Sequence, residues 1–516
     1  EFGIDVRNCW IPDVFGYPAS LPQILRKADV QYFLTQKISW NAHTQFPYET
    51  FIWEGIDGSQ VVTHFLPERT YNSGGRADGL IRAERGYLEK DRLDEFLTAV
   101  GIGDGGGGPK DEHIERIILA KNLEGVPKAS FGRVDRFFER LEAQKELLDL
   151  YRGELYLELH RGTLTTQART KKNNRIFEEA IRVIESLFAT QKRYPRETIK
   201  HVLRDGLMLQ FHDILPGSSI GKVYREADSL YARMFATLGE LIVEYLESNK
   251  TDWNFISSSF FTRGRETKRS KYLSIYRFND SDDMQLVKIE GLDTDGRSYM
   301  LDGRYPLTRF GDSHWLYLPL ARKGWNSFVI SEQHPVKLSK DSLILENEHI
   351  TYEFAPNGQI IHAIDHATGR DRMHGASGNV LRLYADTPQK WEAWDIDFYY
   401  RQQEIETLQA VEHQYHVDNE SFAALRFVYK TEHSTILQYA ILPKQGRQVY
   451  FKTHVDWNEC RKLLRVEFPI DSMVEWASCD IPYGVLKRKT HIQDEKDFAQ
   501  FEFAARGFVD VGDGTT

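Results

Sequence analysis

Residues 10–17 read WIPDVFGY, a short apolar run followed by one carboxylate, Asp13, with a proline before it and a glycine three residues after it. An amphipathic stretch follows from Leu21 to Lys27, and a second apolar run from Val30 to Thr35. The order strand, helix, strand is typical of an α/β fold of the barrel or doubly wound kind, in which loops at the strand ends gather into a site. The stretch therefore predicts an α/β domain in this part of the chain, with Asp13 at a strand end where it could serve catalysis or metal binding.

The composition excludes several classes of protein. The 516 residues are enough for about three domains, and 41% hydrophobic with 28% charged residues is an ordinary globular composition. The net charge is -10 without a long basic run, which argues against a nucleic-acid partner. Three cysteines indicate a reducing compartment, so we expect a cytoplasmic protein. No apolar run approaches the ~20 residues that span a bilayer, so no membrane association is expected.

Three regions of different periodicity follow one another along the chain. Residues 1–125 alternate short apolar runs with amphipathic stretches and predict a partial (β/α) barrel. Residues 126–250 have apolar positions at helical spacing and predict a helical bundle that completes the active site, with one helix from Glu197 to Asp213. Residues 251–516 consist of short β-branched and aromatic runs separated by turn dipeptides, which predicts a large antiparallel β-sandwich, incomplete at its carboxyl end. The expected fold class is multidomain α/β, α and β.

Two further segments besides residues 10–17 carry residues suited to chemistry. Residues 211–219, FHDILPGSS, place His212 beside Asp213, and an imidazole next to a carboxylate can bind a divalent cation. Residues 101–109, GIGDGGGGP, hold Asp104 among glycines that let the backbone approach a ligand, so this carboxyl could be a general acid. No Gly-Lys-Ser/Thr follows, which excludes a phosphate-binding P-loop. Each segment also has a structural alternative that stays open. Asp13 could be a turn residue or helix cap, His212 and Asp213 could be a structural pair, and the glycine run could be a flexible linker.

The order of these segments resembles that in glycoside hydrolase family 38, the α-mannosidases, and is closest to their cytosolic and bacterial branch. The similarity extends over nearly the whole chain through LPQI (21–24), TQKISWN (35–41), FIWEGIDGS (51–59), ELYLELHRGT (154–163), WEAWDID (391–397) and IPYG (481–484). The resemblance implies a retaining hydrolase that cleaves α-mannosidic bonds in mannose-containing oligosaccharides. It also implies one divalent cation in each site, usually Zn²⁺.

The resemblance implies a role for each matching residue. Asp13 matches the nucleophile, which forms a covalent glycosyl-aspartate intermediate and also contacts the metal. His212 matches a metal ligand, and Asp213 matches the adjacent carboxylate that contacts the sugar. Asp104 is assigned as the acid/base. Residues that line the sugar pocket are matched by Lys37, Tyr71 and His160.

The chain departs from the family pattern in one respect. Family members carry a His-x-Asp pair, which supplies two more metal ligands, before the segment that matches Asp13, whereas no histidine precedes Asp13 here. The His-x-Asp spacings that are present lie on strand-like sequence of the β-rich half and are not plausible substitutes. We therefore expect an internal piece of a longer enzyme that is inactive and largely metal-free by itself. If this chain alone bound a metal, the additional ligands to consider first would be Asp57, His64 and Asp104.

Two other functions stay open at this stage. One is another metal-dependent carbohydrate hydrolase, such as a deacetylase, which needs a complete set of metal ligands and no glycosyl nucleophile. The other is a relative that binds carbohydrate without turning it over. A homo-oligomer is among the states that the sequence allows.

Overall fold

The computed structural model describes residues 3–189, 191–248, strand segments between 254 and 333, 342–470 and 474–512. The chain forms two compact units, one comprising Glu1–Leu164 with Ser472–Thr516 and the other Thr165–Asp471. In the described residues the first unit combines helices with two sheets and the second combines helices with four, so the protein is a mixed α/β protein with more than one domain. None of the helices in these ranges has the length and apolar character needed to cross a bilayer.

A five-stranded mixed sheet forms the centre of the first unit. Its elements in chain order are β1 (Asn8–Trp10), α1 (Leu21–Lys27), β2 (Tyr32–Thr35), β3 (Thr50–Glu54), β4 (Gln60–Phe65), α2 (Ala77–Gly86), α3 (Asp111–Ala120), α4 (Val134–Glu142) and β5 (Asp149–Arg152). The strand order is β1-β2-β4-β3-β5. Strands β1, β2 and β4 are parallel, as an α/β start predicts. Strand β3 is antiparallel to β4 and parallel to β5, which differs from the all-parallel arrangement of a barrel.

The β3–β4 hairpin explains this difference. Gly58 has a φ of 84° and its N–H donates to the carbonyl of Gly55 at 3.0 Å, which closes a tight turn between the two strands. Glycine adopts positive φ without steric cost, and such turns connect antiparallel strands directly. The exposed side chain of Asp57 lies in this turn.

The apolar run of β2 is buried on both faces of the sheet. Phe33 packs beside Trp53 on one face, at 5.3 Å between ring centroids. Tyr32 stacks on Phe138 of α4 on the other face, at 5.0 Å between ring centroids. Alternate side chains of a strand point to opposite faces, so a strand covered on both sides has a continuous apolar sequence. This burial fixes β2, and the loop that follows it, within the sheet.

Three helices begin the second unit, α5 (Ala168–Phe188), α6 (Arg196–Leu209) and α7 (Gly221–Ser248), and they share one apolar core. The helix predicted from Glu197 to Asp213 ends earlier, at Leu209. Residues 210–217 form turns, and the N–H of Phe211 donates to the carbonyl of Met208 at 3.1 Å, three residues back. Apolar residues continue at helical spacing through these turns, so the sequence pattern could not mark the helix end.

Eight strands of the second unit form one sheet, in the order β7-β6-β8-β13-β10-β11-β12-β9. They are β6 (Asn254–Ser257), β7 (Thr262–Arg265), β8 (Tyr272–Arg277), β9 (Met284–Glu290), β10 (Ser298–Leu301), β11 (Tyr305–Phe310), β12 (Ser313–Pro319) and β13 (Gly324–Gln333). Their described pairings are antiparallel except that of β6 with β8, which is parallel.

Three smaller sheets follow, in the orders β14-β15-β16, β18-β17-β23 and β19-β20-β21-β22. Their strands are β14 (Ile344–Glu346), β15 (Ile350–Phe354), β16 (Ile360–Asp365), β17 (Val380–Ala385), β18 (Glu404–Thr407), β19 (Ala410–Asp418), β20 (Phe422–Lys430), β21 (Thr435–Pro443), β22 (Tyr450–Asp456) and β23 (Lys462–Glu467). An aromatic cluster that includes Phe310 and Phe422 packs the four-stranded sheet against the eight-stranded one.

The last described segment returns to the first unit as β24 (Trp476–Ile481), β25 (Gly484–Lys489), α8 (Glu495–Ala499) and β26 (Val509–Asp510). The carbonyls of Pro482 and Tyr483 accept hydrogen bonds from Ser20, at 2.5 Å, and from Gln23 of α1, at 3.0 Å. Arg488 forms an ion pair with Glu154, with 2.7 Å between Nη2 and Oε2. Stretches that are far apart along the chain therefore lie together in the first unit.

Candidate active site

Three neighbouring parallel strands bring the candidate catalytic residues to one edge of the first sheet. Asp13 follows β1, Lys37 follows β2 and Tyr71 follows β4. The carboxyl ends of parallel strands meet at the same edge, where α/β proteins place their sites. Asp13 thus lies just beyond a strand end, where the sequence placed it.

Both carboxylate oxygens of Asp13 are held by polar side chains. The ammonium of Lys37 donates to Oδ1 at 2.5 Å, and the hydroxyl of Tyr71 lies 2.9 Å from Oδ2. The Lys37 side chain is 4% exposed and that of Asp13 is 19% exposed, so the pair is screened from water on the lysine side. The ammonium offsets the negative charge of Asp13 and fixes its orientation.

A single turn of 3-10 helix explains how Lys37 is covered. The turn spans Lys37–Trp40, and residues three apart in such a turn lie on the same side. Trp40 therefore places its ring 3.8 Å from the Lys37 ammonium, and Phe15 places its ring at 5.3 Å. Both contacts are cation–π interactions. The sequence analysis did not assign Trp40, although its spacing from Lys37 was a usable signal.

Tyr17 anchors the loop that carries Asp13. Its backbone exchanges two hydrogen bonds with Leu155, at 2.9 and 3.0 Å. Its hydroxyl lies 2.7 Å from the hydroxyl of Thr35 and donates to the carbonyl of Ile11 at 2.6 Å. Burial raises the pKa of the Tyr17 phenol, so the hydroxyl keeps its proton. The loop around Asp13 is thus tied to the sheet on both sides.

Asp104 reaches the same group of side chains from the glycine-rich loop. The hydroxyl of Tyr71 lies 3.2 Å from Oδ1 of Asp104, and Nδ2 of Asn72 donates to Oδ2 at 2.9 Å. Tyr71 therefore contacts both Asp13 and Asp104. Burial, with the hydrogen bond to Asp13 next in importance, raises the pKa of Tyr71, which stays a protonated donor. The sequence analysis did not find Asn72, which lies 32 residues from Asp104 without any local pattern linking them.

His160 belongs to the wall of this site. Its ring packs edge-on against Phe15, with 4.8 Å between ring centroids, and the residue is 6% exposed. Burial, reinforced by the nearby charge of Lys37, lowers the pKa of His160 to about 4. The imidazole is therefore neutral at pH 7. The structure brings together five predicted residues, namely Asp13, Lys37, Tyr71, Asp104 and His160.

His212 and Asp213 belong to the second unit, in the turns that follow α6. Nε2 of His212 lies 3.6 Å from Oδ2 of Asp213. The half-buried Lys171 anchors the same turns, because its ammonium donates to the carbonyls of Leu215 and Pro216, at 3.0 and 2.9 Å, and to a third carbonyl before α5. Burial lowers the pKa of Lys171 to about 8. No sequence motif marked this lysine.

The described residues do not complete a zinc site around Asp13. Within the described ranges, one group of three ligand-type side chains lies within mutual reach, and it consists of Glu432, His433 and Glu459. The Lys462 ammonium lies 2.6 Å from Glu459 and 3.7 Å from Glu432, so a lysine already balances these carboxylates. A catalytic zinc site needs three protein ligands, and Asp13 is not in such a group.

Neither Asp57 nor His64 supplies a missing ligand at Asp13. Asp57 lies in the exposed β3–β4 turn and accepts a hydrogen bond from the N–H of Ser59 at 2.9 Å. His64 is fully buried in β4, with Nδ1 2.8 Å from the hydroxyl of Thr50 and Nε2 accepting from the N–H of Leu97 at 3.2 Å. Both ring nitrogens of His64 are thus engaged inside the core.

Family comparisons cover most of the chain. Residues 1–156 match the glycosyl hydrolases family 38 N-terminal domain, residues 158–248 the alpha mannosidase middle domain, and residues 345–516 the glycosyl hydrolases family 38 C-terminal domain. The chain belongs to glycosyl hydrolase family 38. The resemblance inferred from the ordered motifs is confirmed, and the candidate active site of this family 38 chain lies within the part that matches the N-terminal domain and just beyond it.

Named relatives of this family 38 chain agree. Alpha-mannosidase G of Dictyostelium discoideum is 30% identical over 99% of this chain and 50% of its own length. Alpha-mannosidase 2C1 of Homo sapiens is 30% identical over 99% of this chain and 48% of its own length. The chain thus spans about half the length of these relatives. A solved alpha-mannosidase from Enterococcus faecalis V583 has the same fold, with a TM-score of 0.73 at 16% identity over 99% of this chain and 68% of that one.

Proposed function

We propose that this chain carries the two catalytic carboxylates of a retaining, metal-dependent α-mannosidase that acts on mannose-containing oligosaccharides. The observation that supports retention is the bridging hydroxyl of Tyr71, which lies 2.9 Å from Asp13 and 3.2 Å from Asp104. The nearest oxygens of the two carboxylates cannot be further apart than the sum of these distances. That limit accommodates the roughly 5 to 5.5 Å between the carboxyl groups of retaining glycosidases, and the family resemblance supplies the rest of the case for retention.

The proposed reaction has two displacement steps. Asp13 attacks the anomeric carbon and forms an ester bond while the bond to the leaving oxygen breaks, and Asp104 gives its proton to that oxygen. A water molecule then attacks the same carbon, Asp104 takes its proton, and Asp13 leaves as a carboxylate. Lys37 and Tyr71 hold Asp13 in place for the attack, and the neutral His160 contributes an uncharged wall.

A divalent cation, expected to be zinc, is part of this proposal. Asp13 and His212 would be two of its ligands, with Asp213 contacting the sugar, and the ion would polarise sugar hydroxyls when bound. Two ligands fall short of the three of a catalytic zinc site, so the proposed site needs at least one further protein ligand. Elemental analysis tests this part, because His212→Ala should lower the zinc content of the protein.

The proposal extends to the architecture of the individual domains. We assign the first sheet to a partial α/β barrel, α5 to α7 to a helical bundle, and the sheets of the second unit to a β-sandwich. A cytoplasmic location and homo-oligomeric assembly likewise stay predictions. Sedimentation of the purified protein measures the oligomeric state.

A mechanism-based label tests the proposed function. In the full-length protein, the Asp13 carboxylate should displace fluoride from a 2-deoxy-2-fluoro mannosyl fluoride and become glycosylated, and peptide mass mapping should locate the adduct on the peptide that contains residues 10–17. In the full-length protein, Asp13→Ala should lower turnover by several orders of magnitude, because it removes the covalent group. Asp57→Ala, at an exposed turn of the same unit, serves as the matched control and should change turnover little. A loss of less than about tenfold in Asp13→Ala, or no adduct on the wild type, would contradict the proposal and favour a deacetylase or a binding protein.

A further inference from the structure

Asn72 binds the glycine-rich loop, and the reaction proposed above assigns it no role. Its side-chain oxygen accepts hydrogen bonds from the backbone N–H of Gly103 and, at 3.3 Å, from that of Asp104. Its side-chain nitrogen donates to Oδ2 of Asp104 at 2.9 Å. One amide group therefore holds both the backbone and the carboxylate of Asp104.

The partners of Asn72 determine which way its amide points. A reversed amide would set its NH₂ group against two backbone N–H groups and its oxygen against a carboxylate oxygen, and all of these hydrogen bonds would be lost. An amide NH₂ group is a donor only, so Oδ2 of Asp104 has to act as an acceptor. The proton that Asp104 transfers as an acid then belongs on Oδ1.

Oδ1 of Asp104 is also the oxygen that faces Asp13. The hydroxyl of Tyr71 lies 3.2 Å from this oxygen and 2.9 Å from Oδ2 of Asp13. A phenol has a single hydrogen, and Asp13 is its closer acceptor. With that hydrogen given to Asp13, Oδ1 of Asp104 is left to carry its own proton on the side where the leaving oxygen must lie.

The loop itself supplies little that would hold Asp104. Its base is closed by backbone hydrogen bonds between Ile102 and Gly108, at 3.0 and 2.7 Å, and the N–H of Gly106 donates to the carbonyl of Gly103 at 2.9 Å. Residues 103–107 are nevertheless exposed, and none of these bonds holds the Asp104 side chain. Glycine leaves the backbone of such a tip many conformations. A Cβ at Gly103 would come within 2.5 Å of Oδ1 of Asn72, so a glycine is needed there for the amide to approach.

We propose that Asn72 is a positioning residue that fixes the Asp104 carboxylate toward Asp13 and directs its transferable proton to Oδ1. The inference rests on the proposed acid/base role of Asp104. A general acid acts only when its proton is within hydrogen-bond reach of the leaving oxygen, and a small displacement lowers the rate strongly.

Two variants separate the two functions of the amide. Asn72→Ala removes both the donor and the acceptor, whereas Asn72→Asp keeps an acceptor for the loop N–H groups and replaces the donor by a second carboxylate. Asn122→Ala, the same substitution at an exposed turn of the same unit, is the control.

Hydrogen–deuterium exchange measures the hold on the loop without any need for activity. In Asn72→Ala the peptide that covers residues 103–108 should exchange about fivefold faster or more, because its amides lose hydrogen bonds. The control should exchange at the wild-type rate there. Unchanged exchange in Asn72→Ala would overturn the proposal even if the protein has no mannosidase activity.

Leaving-group dependence measures the effect on acid catalysis. Both Asn72 variants should lose at least about tenfold more kcat/KM on mannosides with poor leaving groups than on activated aryl mannosides, which need no proton. Equal losses on both substrate classes would overturn the directed proton transfer. If the full-length wild type and control hydrolyse no mannoside, the proposed function fails instead, and the exchange result alone decides the structural role of Asn72.

Discussion

Lys37→Met should destabilise the first unit, and the structure allows an estimate of the size of the effect. At the 2.5 Å between Nζ of Lys37 and Oδ1 of Asp13, an effective dielectric constant of about 20 gives an attraction of about 7 kcal/mol. Removing two charges from water costs several kcal/mol, but this cost belongs to each charge singly and cancels in a double-mutant cycle. We therefore expect a coupling free energy of about 2 to 7 kcal/mol between the two side chains, as for other close charge pairs.

A double-mutant cycle with Lys37→Met and Asp13→Asn isolates this coupling, because contributions that are not shared by the pair cancel. The assay is urea unfolding followed by ¹⁹F NMR of fluorotryptophan at Trp53, which is fully buried in the first unit and reports on that unit alone. A probe confined to one unit is needed because a multidomain chain need not unfold in two states.

The matched control is the exposed pair of Arg82 and Asp78 on α2, with 3.0 Å between Nη1 and Oδ2. Its side chains are 72% and 54% exposed, so its coupling should stay near 0.3 to 0.5 kcal/mol, roughly the value for exposed helix pairs. A coupling of Lys37 with Asp13 that is no larger than the control would refute the reasoning, because burial would then have contributed nothing to the pair.

Three further predictions concern other parts of the molecule. Asp104→Ala should slow mannosides with poor leaving groups by about a hundredfold or more and activated aryl mannosides much less, and comparison of kcat/KM on the two classes checks this. Burial raises the pKa of Glu89 to about 7, above its ordinary value of 4.5, so the folded state binds the proton more tightly and stability should fall as pH rises from 4.5 to 7. Glu89→Gln should remove that fall, as urea unfolding at pH 5 and pH 8 would show, and an unchanged slope would contradict it. In α6, Gly206→Ala gains about 1 kcal/mol of helix propensity, but its Cβ would lie 2.1 Å from the ring of Phe177, and overpacking of about 1 to 3 kcal/mol should make the net change destabilising. Added Phe177→Leu should restore stability in thermal unfolding by circular dichroism, and a Gly206→Ala variant more stable than wild type would count against the packing argument.

The amino-acid sequence determined those features that depend on neighbouring residues. The apolar run from Val30 to Thr35 predicted a strand, because such runs are typical of strands that are covered on both faces. The order of strands and helices placed Asp13 at a strand end, and the ordered motifs indicated the family. Lys37 and Trp40 are three residues apart, and one 3-10 turn brings residues at that spacing to the same side. Their cation–π contact therefore depends on neighbouring residues alone.

Only the tertiary structure decided which loops meet. Asn72 and Tyr71 contact Asp104 across more than 30 residues, and the last strands of the chain join the first unit. The helix predicted to reach Asp213 ends at Leu209, because apolar residues that fill turns have the same spacing as those on a helix face. Apolar periodicity indicates which face of each helix or strand is buried. Hydrogen bonds between loops depend instead on which distant segments the tertiary fold brings together, and no local sequence pattern indicates that.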